Sequence, residues 1–151
     1  MTDSAVATPA ASTSIDPKRA LIAAPVAALC AAAANVAFYF LAKASHAELY
    51  GNFAGAGSPL TPLPIAPVIV SSVVPALVAG GLLALLGKFA PGRALLIFEI
   101  IAGIVVLASL GLPFVLPETT SIVTKIVLCA MHVIAGAVTV GVLGTMGTKR
   151  P

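Results

Sequence analysis

Four long apolar runs divide the chain, at about residues 20–42, 65–87, 94–112 and 121–145. Crossing the hydrocarbon core of a bilayer takes roughly 20 apolar residues in a helix, so each run predicts a transmembrane span. The third is the shortest, near the lower limit of about 17 residues for a perpendicular helix. Two of the links are tight: "GKFAPGRA" (Gly87–Ala94) and "GLPFVLPETT" (Gly111–Thr120). The longest, Lys43 to Pro64, is rich in Gly and Pro and has no period. Short links make consecutive helices antiparallel neighbours, which predicts an all-α, integral-membrane, up-down four-helix bundle. The first residues are Thr, Ser, Ala and Pro without apolar period, giving a disordered cytoplasmic tail over 1–17 and a membrane domain over 18–148. "AALC" resembles a lipoprotein cleavage site, but Leu29 is bulky just before Cys30 and the apolar run is a full span. The first helix is therefore expected to be retained.

Composition agrees with the pattern. Apolar residues make up 60% of the chain and charged residues 9%, with a mean hydropathy of +1.12, outside the soluble range. The placement of charge adds orientation. Lys18, Arg19, Lys88, Arg93, Lys149 and Arg150 fall on the side of the termini, while Lys43 and Lys125 fall on the other. That asymmetry predicts a multi-pass protein of the cytoplasmic (plasma) membrane with both termini cytoplasmic. Trp is absent and no basic patch alternates with aromatics, so no nucleic acid is expected as a partner. Cys30 and Cys129 lie inside apolar runs and read as free thiols.

A few polar residues interrupt the spans. On the fourth run Ser121, Lys125, Cys129, His132, Gly136 and Thr139 recur every three or four residues and share one face. Lys125 can extend its stem to the interface, whereas His132 near mid-depth must point into the bundle. Glu99 lies roughly 8 Å inside the third span at 1.5 Å per residue, with Ala102 and Gly103 following on its face. On this reading His132 sits a turn or two deeper on an antiparallel neighbour. Three roles stay open: a hydrogen-bonded Glu99–His132 pair fixing helix contacts, a proton or ion relay, or Glu99 reaching the interface beside Arg93. On the first span Ala20, Ala24, Ala28 and Ala32 form a stripe small enough for close helix approach, and Asn35 continues it as an interhelical hydrogen-bonding residue. Gly103 and Gly136 are expected to pack in the same way. Pro25 and Pro75 kink their helices, and Phe38, Tyr39, Phe40 and Tyr50 suggest an aromatic belt.

No catalytic signature is present: no HExxH, no GxSxG and no phosphate-binding Gly loop. His46 and Glu48, two apart in a loop, make a weak metal site. The chain is expected to be no enzyme, with no cofactor and no metal. Its partners are expected to be the lipid bilayer and a homo-oligomer or another membrane protein.

The stretches "KRALIAAPVAALCAAAANVAFYF", "PVIVSSVVPALVAGGLLALL" and "ASLGLPFVLPETTSIVTKIVLCAMHVIAG" resemble a group of small, uncharacterised four-span bacterial membrane proteins, common in actinobacteria. The resemblance covers most of the chain after Pro17, and Thr124-Lys125 with Met131-His132 is its most specific part. It implies the topology and assigns no activity. The functional expectation is a structural or interaction subunit of the membrane. The rival expectation is a proton-coupled or small-solute transporter or channel using Glu99 and His132.

Overall fold

The computed structural model describes residues 14–55 and 57–149. Helices α1 (Pro17–Ala44), α2 (Ile65–Phe89), α3 (Ala94–Ser109) and α5 (Ile122–Met146) form the bundle. A single turn, α4 (Leu112–Val115), prolongs α3. Among the described residues four segments are long and apolar enough to cross a membrane, the third running from Ala94 to Val115 across the turn at Leu110 and Gly111. At 16 residues α3 alone is about 24 Å long, so α4 is needed to complete that crossing. This is a multi-pass membrane protein.

Local chemistry sets the helix ends. Asp16 caps α1 by accepting from the amides of Lys18 (2.9 Å) and Arg19 (3.4 Å), with Pro17 in the first turn. Lys43 in the last turn complements the helix dipole. Ser121 caps α5, accepting from the amide of Thr124 at 3.1 Å. Around the bundle α1 packs on α2 and α5, α3 packs on the same two, and α2 and α5 meet across the middle. α1 and α3 therefore hold opposite corners.

Each end of the bundle is closed differently. At the end carrying the termini, Ile15 bridges to Thr148, the Asp16 amide donates to Gly147 O, and the Lys149 amide donates to Ser14 O, both at 2.9 Å. Ile15 is buried against Gly87, where a Cβ would come within 2.8 Å of its side chain. Residues 14–17 thus belong to the fold rather than to the tail; residues 1–13 lie outside the described residues. A two-residue bridge has no hydrophobic period, so the sequence pattern could not announce it. At the opposite end the long link folds back as β1 (Tyr50–Gly51) against β2 (Thr61–Pro62), antiparallel, with Tyr50 opposite Pro62. Two apolar clusters follow: Ala20, Ala23, Ala27, Leu83, Phe98 and Leu143 with Ile15 at the termini end, and Tyr39, Leu49, Leu63, Val68, Val127 and Met131 at the loop end.

Candidate functional site

A buried polar pair between helices is built from α1 and α2. Ser72 donates its hydroxyl to Val68 O one turn earlier (2.7 Å), leaving its oxygen free to accept. Asn35 Nδ2 donates to that oxygen at 2.9 Å. Ser71 also donates to Val68 O, at 3.2 Å. Three residues on, Pro75 has no N–H for the carbonyl of Ser71, so polarity concentrates at this level of α2. Asn35 Oδ1 is buried and has no hydrogen-bond partner among the described residues. An unsatisfied amide oxygen in a packed core is costly, and it marks where a donor would be held.

The polar seam of α5 faces α3 and α4. Lys125 Nζ donates to Leu116 O at 3.2 Å, and Cys129 Sγ to Leu110 O at 3.5 Å. A Cβ on Gly136 would collide with Val106 of α3. His132 lies between Cys129 and Gly136 on this seam and is half-buried. Its Nδ1 is 2.7 Å from Leu128 O of the same helix. A carbonyl only accepts, so Nδ1 is the donor in this contact. Thr139 is buried, and Ser121 serves as the cap already described.

Glu99 stands apart from this seam. Its side chain is exposed, on the outward part of α3. A Cβ on Gly136 would meet Val106, and one on Gly144 would stand 3.7 Å from Leu95 Cδ1, so the two helices run antiparallel in a fixed register. That register sets Glu99 level with about residues 140–143, which puts His132 roughly 12–16 Å away along the axis at 1.5 Å per residue. Of the three roles left open, the Glu99–His132 pair is not formed within the chain. Counting residues inward from each helix end overestimated the overlap, because depth depends on how far the helices slide past one another. Gly103 packs against no helix of its own bundle: nothing in the chain lies within 4 Å of where its Cβ would stand.

The alanines Ala20, Ala24, Ala28 and Ala32 are all buried, together with Ala23, Ala27 and Ala31. A Cβ on Gly80 would collide with Ala24, and one on Gly147 would come within 3.5 Å of Ala20 Cα. The stripe is occupied within the chain. Tyr39, read as part of an aromatic belt, is buried and donates to Leu63 O at 2.9 Å, pinning the long link.

Residues 16–148 match a family of unknown function, DUF6069. The chain belongs to that family. No curated protein and no solved structure matches it. The matched range begins at the cap of α1 and ends at the residue bridged to Ile15, so it takes in all four bundle helices and the loop-end link.

What sequence reasoning missed in this DUF6069 chain is the loop-end cap. Thr124 is fully buried, and its hydroxyl lies 3.1 Å from Tyr50 O and 3.4 Å from Glu48 O, while Ser121 Oγ donates to Glu48 O at 3.0 Å. Asn52 is bonded to Ser58 O and to Thr119. The only signal in the sequence was an N-cap motif, Ser121 followed by Thr124. A cleft of about 160 Å³ beside Tyr39, Lys43, Leu49 and Leu63 and a wider one of about 520 Å³ beside Asn52, Leu112 and Leu116 open at this end. Neither is lined by Asn35, Glu99 or His132. Among the described residues no three His, Cys, Asp or Glu side chains are grouped to hold a metal ion.

Proposed function

We propose that this chain is a structural or interaction subunit of a membrane assembly, without catalytic activity of its own. It resides in the cytoplasmic membrane with both termini cytoplasmic. The observation that carries the reading is how polarity at hydrocarbon depth is used. Asn35 is committed to Ser72 of the neighbouring helix, Cys129 to Leu110 O, and His132 to Leu128 O. The first two bonds fix which helices touch and in what register, and the third satisfies His132 within α5 itself. Lys18, Arg19, Lys88, Arg93 and Lys149 gather at the termini end against Lys43 and Lys125 at the loop end, which supports the orientation. Arg150 lies outside the described residues.

Purification in native lipid tests the role: a defined co-purifying subunit or a stable multimer supports it, and a lone monomer refutes it. Orientation is tested by labelling introduced cysteines in intact cells after replacing Cys30 and Cys129 by Ser. Asn52 is buried, so exposed Ala54 is the better loop-end site, with Lys149 at the other end. Ala54→Cys labels from outside and Lys149→Cys does not; the reverse sinks the topology. The unpartnered Asn35 Oδ1 favours a second reading, a proton-coupled or small-solute transporter or channel in which Asn35, between α1 and α2, and His132, on the α5 seam, are separate polar groups. That reading requires a flux in sealed vesicles that Asn35→Leu and His132→Ala abolish.

A further inference from the structure

We propose that α3 is the surface through which two copies of this protein associate, side by side and parallel, with their Glu99 carboxyls hydrogen-bonded to one another. The inference rests on the reading of the chain as an assembly subunit and names the contact. The bundle takes up the face of α3 that carries Ala94 and Phe98. Leu96, Glu99, Ile100, Gly103 and Leu107 fall within an arc of about 100° at about 100° per residue, and all are exposed. The aliphatic members of this arc are as content in lipid as in protein and demand no partner.

Glu99 does demand one. It lies roughly 8 Å inside the helix end, and a carboxyl facing hydrocarbon alone is costly. Its stem is shorter than that of Lys or Arg, which limits its reach to the interface. Within the chain His132 is too far along the axis to answer it. All copies inserted in one orientation carry Glu99 at the same depth and on the same face. A carboxylic acid is both donor and acceptor, so two of them satisfy each other across a two-fold axis. Gly103, one turn deeper with nothing within 4 Å of its missing Cβ, leaves the notch a second helix needs beside that pair.

The test uses the full chain in lipid vesicles, with Cys30 and Cys129 replaced by Ser. Under oxidation Leu107→Cys gives a cross-linked dimer, and Val105→Cys, exposed on another side of α3, does not. In a lipid-dilution energy-transfer series Glu99→Leu and Gly103→Leu weaken the dimer about tenfold, while Glu99→Gln, also donor and acceptor, stays within about threefold. Thermal unfolding of the diluted monomer checks that each variant is folded. Dimerisation of Glu99→Leu at wild-type strength would mean that the arc simply faces lipid. Loss on Glu99→Gln as large as on Glu99→Leu would mean a cation opposite Glu99, which overturns the carboxyl pair. A multimer that persists while Leu107→Cys fails to cross-link overturns this contact and leaves the subunit reading standing; a monomer at every dilution overturns self-association, and the subunit reading then stands or falls with a co-purifying partner in native lipid.

Discussion

α1 and α3 stand at opposite corners of one bundle, yet 39% of the most apolar stretch of α1 is buried inside the protein against 6% for the stretch containing α3. Hydrophobicity does not explain the difference, since the less apolar helix is the one taken inside. Side-chain size does. α1 presents Ala at nearly every inward position, and its backbone comes against Gly80 of α2 and Gly147 after α5. α3 presents Leu and Ile, which hold neighbouring backbones apart and are equally comfortable in lipid. Inside a bilayer the driving force for helix contact is packing and hydrogen bonding rather than escape from water. Small residues therefore mark the inside and large ones the outside, the reverse of soluble intuition.

The largest effect tests that contrast at two glycines. Gly80→Leu forces α1 from α2 and should cost about 3 kcal/mol. Gly103→Leu, with open space around it, should leave the diluted monomer within about 0.5 kcal/mol of wild type. Reversible unfolding in mixed micelles measures both, and equal losses would erase the distinction between the helices. Within α1, Ala28 is 3% exposed and Val26 37%. Ala28→Leu should cost about 1–3 kcal/mol and Val26→Leu little, read as the shift in thermal midpoint.

Smaller is the Asn35–Ser72 bond. Asn35→Ala and Ser72→Ala should each destabilise by about 1 kcal/mol and show a coupling of about 0.5–1.5 kcal/mol in a double-mutant cycle. Smallest of all is the coupling between Glu99 of α3 and His132 of α5. Glu99→Ala and His132→Ala should be additive within about 0.5 kcal/mol in the monomer, because the fixed register keeps them apart. A coupling above 1 kcal/mol would show the helices sliding to a different register in the membrane.

Much of the fold was legible in the residue order because the bilayer makes apolar length decisive. A span needs its backbone hydrogen bonds closed within the helix, so four long apolar runs with short links leave little choice of architecture. The Ala stripe was legible too, as was the face of α5 that carries Lys125, Cys129, His132 and Gly136, since a fixed helical period assigns residues to faces. The cap at the loop end was not. Thr124, Tyr39 and Asn52 act through carbonyls of a link with no period, and only the folded chain brings those carbonyls within reach.

Glu99 and His132 define the boundary between the two kinds of information. The order of residues placed each on its helix and at an approximate depth. It could not place them relative to one another, because side chains on different helices meet only if axial register and rotation both allow it. Those two quantities were decided by the packing of Gly136 under Val106 and of Ala94 and Phe98 into the core. Tertiary packing therefore turned His132 toward its own helix and left Glu99 facing outward.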